Sequence, residues 1–221
     1  MFLKKINDIK LFGDKIAVER SLNLSISDVE GQIAQLGYSG AGLTKDFRVE
    51  NAKIPPFIQV FYYLVFKNLE IPSEDLLFNT YVEWVGGVKN DIMRIGNLEL
   101  NLEGVRNRML RTYPSLIRDF HFYIMLNKSQ LFESVEYSLF TDYSNGIDLT
   151  LSYNKQVYAL AIAIETKRAS EYLLVKEDRH DYGNVNKLVL SVPFDELSKV
   201  GQIYLLTELH VKSIINQIKN N

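Results

Sequence analysis

The sequence contains no cysteine, and this absence excludes several kinds of site. Disulfides, thiolate zinc centres and cysteine nucleophiles all need a thiol, so none of them can form from this chain alone. Three histidines are too few to favour a histidine-rich metal site. Any metal ion bound here is therefore expected to be a hard cation held by oxygen ligands.

Long hydrophobic runs and a strong net charge are also missing. The densest apolar stretch, residues 57–66, is about half as long as the roughly 20 residues that a membrane span requires. The lysines near the N-terminus are followed by no apolar segment of the kind found in signal peptides, so a cytoplasmic protein is expected. A net charge of −2 argues against a protein that coats nucleic acid, although a local basic surface would still serve a nuclease.

Residues 1–100 are predicted to form a mainly helical region. Ser25 or Ser27 is a candidate N-cap for a helix that ends near Leu36, and Ser73 is a candidate N-cap for a later helix. The glycine-rich segment 37–42 lacks the Gly-Lys-Ser/Thr ending of a phosphate loop and is interpreted as a connector. The region would serve either as a DNA-recognition module or as a cap packed on the rest of the chain. The later helix is expected to bury Leu76, Leu77, Tyr81 and Trp84.

Residues 101–221 show the element order of an α/β core. A long helix is predicted from Glu103 to Met125, with Pro114 as the point where it could break and Thr112 as a cap for its second part. One strand is continuously apolar from 157 to 164, which is typical of a strand buried on both faces. Four strands and a closing helix are predicted at Phe132–Phe140, Ile147–Tyr153, Gln156–Glu165, Lys187–Val192 and within Gly201–Ile218.

Three side chains with the chemistry of a phosphodiesterase fall on two of these strands. Asp148 lies on the first strand of a hairpin, and Glu165 and Lys167 lie at the end of the second. Glu165 and Lys167 point to the same face because side chains alternate along a strand. Asp148 stands between two apolar residues, where a carboxylate needs a partner or a metal ion. Two carboxylates could hold a divalent cation, and the lysine could contact the attacking water or the phosphate.

This pattern, with sixteen residues between Asp148 and the Glu165-x-Lys167 pair, resembles the active site of the PD-(D/E)XK nuclease superfamily. The resemblance covers roughly residues 100–221. It implies a restriction-endonuclease-like core, a central mixed sheet flanked by helices, with the catalytic pair on the second and third strands. The residue before Asp148 is Ile147 instead of proline, a departure that many members share.

The resemblance also implies a set of metal ligands. Mg²⁺ or Mn²⁺ would be bound by Asp148, Glu165 and the backbone carbonyl of Thr166. Many such enzymes carry another acidic ligand on the first core helix, and the candidates are Glu103 and then Asp119, for each of which a surface or ion-pair role is the alternative. His121 lies where the similar viral cap-snatching endonucleases carry a metal-binding histidine, but a histidine between two phenylalanines also suits a packed core.

Basic residues lie before and after the motif, and nucleic acid is the partner they would bind. The arginines of the long helix would contact phosphate or would form a solvated helix face; those after Lys167 are placed near the backbone of a bound duplex. The candidates are Arg111, Arg118, Arg168, Lys176 and Arg179.

The sequence thus predicts a metal-dependent endonuclease that acts on double-stranded DNA, in restriction, phage defence or a mobile element as the resemblance suggests. A homodimer would supply the two sites needed to cut two strands. RNA or branched DNA is the alternative substrate for the same fold. A catalytically silent module that binds nucleic acid or protein is the alternative from another class, although the complete set of Asp148, Glu165 and Lys167 argues against it.

Overall fold

The computed structural model describes residues 23–137, 147–165 and 185–220, and in these ranges the protein is mixed α/β. No helix within the described ranges is long and apolar enough to cross a membrane. The helices are α1 (Ile26–Gln35), α2 (Phe47–Asn51), α3 (Ile58–Asn68), α4 (Glu74–Val85), α5 (Leu102–Lys128) and α6 (Glu208–Asn220).

The strands of the described residues form three sheets. They are β1 (Gly87–Lys89), β2 (Ile92–Ile95), β3 (Leu98–Asn101), β4 (Ser134–Glu136), β5 (Leu149–Tyr153), β6 (Gln156–Glu165), β7 (Asn186–Pro193), β8 (Ser198–Val200) and β9 (Ile203–Leu205). The largest sheet has the order β4-β5-β6-β7. The β4-β5 and β5-β6 pairs are antiparallel, and β7 runs parallel to β6. The other sheets are the antiparallel β1-β2-β3 and the β8-β9 pair.

The helices of the first hundred residues begin at the caps that the sequence predicted. Ser25 and Asp28 form a capping box at the start of α1, and the Ser73 hydroxyl accepts a hydrogen bond from the amide of Leu76 in α4. Segment 37–42 is a connector, as predicted. One expectation was wrong: Leu76 is exposed because it falls on the solvent side of α4. Helices α1 to α4 make the described part of this region mainly helical, as predicted, and the three-stranded β1-β2-β3 sheet at its end was not predicted.

Helix α5 runs through Pro114 without a break, so the interruption predicted there is wrong. Pro114 has no amide hydrogen to donate to the carbonyl of Leu110, four residues earlier. That carbonyl is covered by the connector: a Cβ added to Gly40 would lie 2.5 Å from the Leu110 oxygen. Thr112 does not cap a new segment, since its hydroxyl donates to the carbonyl of Arg108 at 2.9 Å. Packing against the connector holds the helix together where the local sequence weakens it.

The β5-β6 hairpin has the turn that the sequence indicated. Asn154 and Lys155 both have positive φ, 50° and 63°, as a two-residue hairpin turn of this type requires. The expectation of a β6 strand buried on both faces was wrong in part. Tyr158 to Leu160 are buried, but Val157 is 46% exposed and the residues from 161 to 164 are half-buried. In β7, Leu188, Leu190 and Val192 are buried in alternation with exposed neighbours, so one face of this strand packs against the core.

One cluster of buried side chains connects both predicted regions. The rings of Tyr62 in α3 and Tyr137 after β4 stack at 4.0 Å with an interplanar angle of 8°. The buried hydroxyl of Tyr113 in α5 donates to the carbonyl of Pro72 at 2.6 Å. The described part of residues 1–100 therefore shares its core with the rest of the chain. The closing helix α6 follows the β8-β9 pair, which the sequence did not predict, and it buries Val211, Ile214, Ile215 and Ile218.

Candidate metal site

Asp148 lies at an irregular position of the β5-β6 pairing. Its amide donates to the carbonyl of Leu160 at 3.0 Å, although Leu160 pairs with Leu149 in the register of the two strands. Two successive residues of one strand therefore lie opposite a single residue of the other, which is the arrangement of a β-bulge. Bulges occur beside active sites, where they redirect a side chain and end the regular pairing.

The Asp148 side chain provides the hydrogen-bond acceptor for an amide of β6 that a backbone carbonyl would otherwise provide. Its Oδ2 accepts a hydrogen bond from the amide of Ile162 at 2.6 Å, and the residue is half-buried between the buried side chains of Ile147 and Leu149. Hydrogen bonds to a carboxylate from backbone amides favour its ionised form. The bond to Ile162 supplies a partner for the carboxylate at this apolar position and also fixes the direction in which the side chain points.

Glu165 ends strand β6 and is exposed, and its carboxylate also accepts a hydrogen bond. In the register it pairs with Pro193, the last residue of β7. Its Oε1 accepts a hydrogen bond from the hydroxyl of Ser191 at 2.8 Å, and Ser191 pairs with Ala163, two residues before Glu165. The Glu165 side chain therefore leans back toward Ser191 on the neighbouring strand β7.

These two contacts hold the carboxylates at the same end of the sheet, from different sides of β6. Glu165 lies three residues after Ile162, about 10 Å along a strand that rises 3.3 Å per residue. Asp148 approaches β6 from the β5 side at Ile162, whereas Glu165 is held by Ser191 on the β7 side. Ala161 and Ala163 share the Glu165 face of β6 between these two points.

Two carboxylates suit a small hard cation. Mg²⁺ is commonly bound by one or two protein carboxylates, while water and phosphate oxygens complete its octahedral shell. Within the described ranges, no three Asp, Glu or His side chains come together as a group that could hold a metal ion. The structure therefore does not bring Glu103 or Asp119 together with Asp148 and Glu165 as a third acidic ligand. Glu103 is exposed in the first turn of α5, and Asp119 is half-buried beside Arg118 on the same helix.

Several predicted site residues lie outside the described residues. These are Thr166, whose backbone carbonyl was expected to bind the metal ion, Lys167, and the basic residues Arg168, Lys176 and Arg179.

His121 is buried at the interface between α5 and α1. Its side chain is 1% exposed, and its Nε2 lies 3.2 Å from Oε1 of Glu30. Burial lowers the pKa of His121, and the contact with Glu30 opposes that shift. Nδ1 is buried without a hydrogen-bond partner among the described residues. These contacts match the packed core position that was one of the two interpretations of this histidine.

The arginines of α5 contact protein groups. Arg111 forms an ion pair with Glu50 and donates to the carbonyl of Thr44 at 2.7 Å. Arg118 donates through Nε to the carbonyl of Tyr204 in β9 at 2.9 Å, and burial lowers its pKa. A solvated helix face, the alternative expectation for this group, does not describe either of them. Phosphate contact by Arg111 and Arg118 stays a prediction.

Two groups at the site had not been predicted. Ser191 is the polar residue within the apolar run 188–193 of β7, and that contrast is a signal in the sequence that could have marked it. The amide of Ile162 left no signal, because every residue other than proline carries one.

Comparisons with protein-family models, with curated proteins and with solved structures found no match to this chain.

Proposed function

We propose that this protein is a metal-dependent endonuclease that hydrolyses phosphodiester bonds in DNA, with a restriction-endonuclease-like core. The observation that carries the proposal is that Asp148, held by the amide of Ile162, and Glu165, held by the hydroxyl of Ser191, lie at the same end of the sheet. Carboxylate oxygens are the donors that a Mg²⁺ or Mn²⁺ site needs.

The strand order supports the same proposal. A helix, three antiparallel strands and a fourth strand parallel to the third follow one another in the described chain as α5, β4, β5, β6 and β7. Asp148 directly precedes the second strand of this series and Glu165 ends the third, and this order supports the proposal because the resemblance to the PD-(D/E)XK superfamily implies carboxylates on those two strands.

Each residue has a defined part in the proposed reaction. Asp148 and Glu165 would bind the cation, joined by the carbonyl of Thr166. A bound divalent cation supplies charge neutralisation at the phosphate and lowers the pKa of a water molecule. Lys167 would orient the attacking water or neutralise the phosphate. DNA is proposed as the substrate and a homodimer as the form that cuts both strands, whereas RNA and branched DNA are outcomes for the experiment to separate.

The test is cleavage by the purified protein of plasmid, linear duplex, branched DNA and single-stranded RNA, each with Mg²⁺, Mn²⁺ or EDTA. Asp148→Asn keeps an oxygen that can accept the Ile162 amide but removes the charge, so the fold should persist while cleavage falls about 100-fold or more. Lys167→Ala should lower cleavage without loss of the fold.

The matched control is Asp91→Asn, which removes an exposed carboxylate in the β1-β2 turn, where asparagine also tolerates the positive φ of 59°. This variant should cut as well as the wild type. Equal cleavage by wild type, Asp148→Asn and Lys167→Ala, or no cleavage of any substrate, would refute the proposed function. Cleavage of RNA alone would change the substrate class.

A further inference from the structure

The hydroxyl of Ser191 donates a hydrogen bond to the Glu165 carboxylate. Glu165 is the last residue of β6, and its strand neighbour Pro193 carries no amide hydrogen and ends β7. A glutamate side chain has several rotamers available. The hydrogen bond of 2.8 Å from Ser191 favours a rotamer in which Oε1 lies beside β7.

The register explains how Ser191 can reach this carboxylate. Ser191 pairs with Ala163 in the parallel β6-β7 ladder, so its side chain shares a face with Ala163 and Glu165. The methyl group of Ala163 is too small to separate the hydroxyl from the carboxylate. A larger residue at 163 would stand between the two groups.

We propose that Ser191 is a positioning residue for the metal site, which orients Glu165 as a ligand without contacting the cation itself; this inference rests on the proposed function. The hydroxyl occupies one acceptor position of Oε1, so that Oε2 and the remaining acceptor position of Oε1 are left for a cation. Groups that orient a metal ligand in this way typically change metal affinity or activity by about 10- to 100-fold when they are removed.

The experiment measures Mn²⁺ binding to the full chain by calorimetry in the absence of nucleic acid, and then the Mn²⁺ dependence of cleavage. Ser191→Ala should raise the dissociation constant for Mn²⁺ about tenfold and shift the Mn²⁺ concentration for half-maximal cleavage by a similar factor. Cleavage at saturating Mn²⁺ should return toward the wild-type rate. Ser191→Thr keeps the hydroxyl and suits a strand, so it should restore affinity close to that of the wild type.

The matched control is Ser152→Ala. Ser152 lies in the same sheet, next to the β5-β6 turn, and its hydroxyl accepts from Ser134 at 2.9 Å, away from both carboxylates. This variant should bind Mn²⁺ as the wild type does. The melting temperature of each variant without metal ions shows whether any change reflects a loss of fold.

The outcomes separate this inference from the function on which it rests. If the wild type binds Mn²⁺ and cuts, Asp148→Asn loses both, and Ser191→Ala behaves like the wild type, then the positioning role is wrong and the proposed function stands. A weakened Ser191→Ala that Ser191→Thr does not rescue also counts against it. If the wild type neither binds Mn²⁺ nor cuts, both proposals fail.

Discussion

At the scale of single residues, Asp148 shows how a half-buried carboxylate obtains a partner. Its place between two apolar residues suggested that it needs a partner or a metal ion. The backbone supplies one donor, because the amide of Ile162 points at the carboxylate. Asp148 is thus held in position by the protein, which is the state that an oriented metal ligand requires.

The arginines of α5 illustrate a second point at this scale. Arg108 donates to the carbonyls of Val49 and Ala52, and Arg111 pairs with Glu50, both near the end of α2. The Arg111–Glu50 pair is partly buried, with side-chain exposures of 19% and 29%. For a phosphate to bind Arg111 it would have to displace this carboxylate, and Glu50 would then be left partly buried without its cation. The sequence pattern alone could not distinguish these arginines from free ones.

His121 should make the protein less stable in mild acid. Because burial lowers its pKa, the unfolded chain takes up a proton below the ordinary value of about 6.5 while the folded chain stays neutral. The free energy of unfolding should therefore fall between pH 7 and pH 5.5, by at most about 1.4 kcal/mol per pH unit from this residue. His121→Gln removes the titration but keeps a polar group near Glu30, so denaturant unfolding should show a smaller fall.

His210 serves as the comparison, because burial lowers its pKa in the same direction. It lies at the start of α6, where its Nδ1 accepts from the amide of Thr207. His210→Gln should reduce the acid-side loss as well, and the double variant should reduce it further. Parallel curves for the wild type and His121→Gln over this pH range would show that the histidine contributes nothing.

At the scale of elements, α5 shows tertiary contacts overriding a local break. Proline inside a helix typically costs about 3 kcal/mol, because it removes one hydrogen bond and crowds the preceding turn. The helix nevertheless spans 27 residues, with fifteen of them buried, among them Tyr113 directly before the proline. Packing on both sides of Pro114 therefore outweighs the local preference for a break.

The connector 37–42, which covers the Leu110 carbonyl beside Pro114, should tolerate a side chain at Gly37 but not at Gly40. In Gly40→Ala the new methyl group would meet the carbonyl of Leu110 and the ring of Tyr38 at 2.5 to 2.7 Å. We expect the free energy of unfolding to fall by about 1 to 3 kcal/mol, as in other overpacked sites. Chemical denaturation monitored by circular dichroism measures this change.

Gly37→Ala provides the matched control in the same connector, since no atom lies within 4 Å of the added methyl group. Its stability should stay the same or rise by up to about 1 kcal/mol, because alanine restricts the unfolded chain. If the two variants proved equally stable, the close approach of Gly40 to the helix would not matter for the fold.

At the scale of the whole molecule, the division near residue 100 does not separate two cores. Buried residues from Leu24 to Ile218 belong to one cluster, and α5 packs against elements on both sides of it. A shared core is the arrangement expected of a cap that packs on the rest of the chain, and a DNA-recognition role for residues 1–100 stays a prediction.

A shared core predicts a single unfolding transition. Trp84, the one tryptophan of the sequence, lies in α4, half-buried with its ring 4.5 Å from that of Tyr63. Its fluorescence therefore reports on the N-terminal region, whereas far-UV circular dichroism reports on all the helices. Curves from the two probes should coincide in urea. A tryptophan transition at a clearly lower urea concentration would indicate that the region unfolds as a separate domain.

The sequence by itself determined the features that depend on near neighbours along the chain. Helices α1 and α4 start at Ser25 and Ser73 because a cap acts within three residues, and the β5-β6 turn forms at Asn154 and Lys155 because the turn type depends on two residues. The places of Asp148 directly before β5 and of Glu165 at the end of the neighbouring β6 followed from the same local patterns, since the spacing of a hairpin fixes which arm carries each residue.

Only the tertiary structure decided which distant groups meet. The hydrogen bond between Ser191 and Glu165 depends on the register of two parallel strands, which is set by packing between elements and leaves no periodic signal. The same holds for the pairing of His121 with Glu30 and for the connector that covers Leu110 beside Pro114. The sequence therefore indicated the chemistry of the candidate site, whereas the fold determined how its two described carboxylates are held.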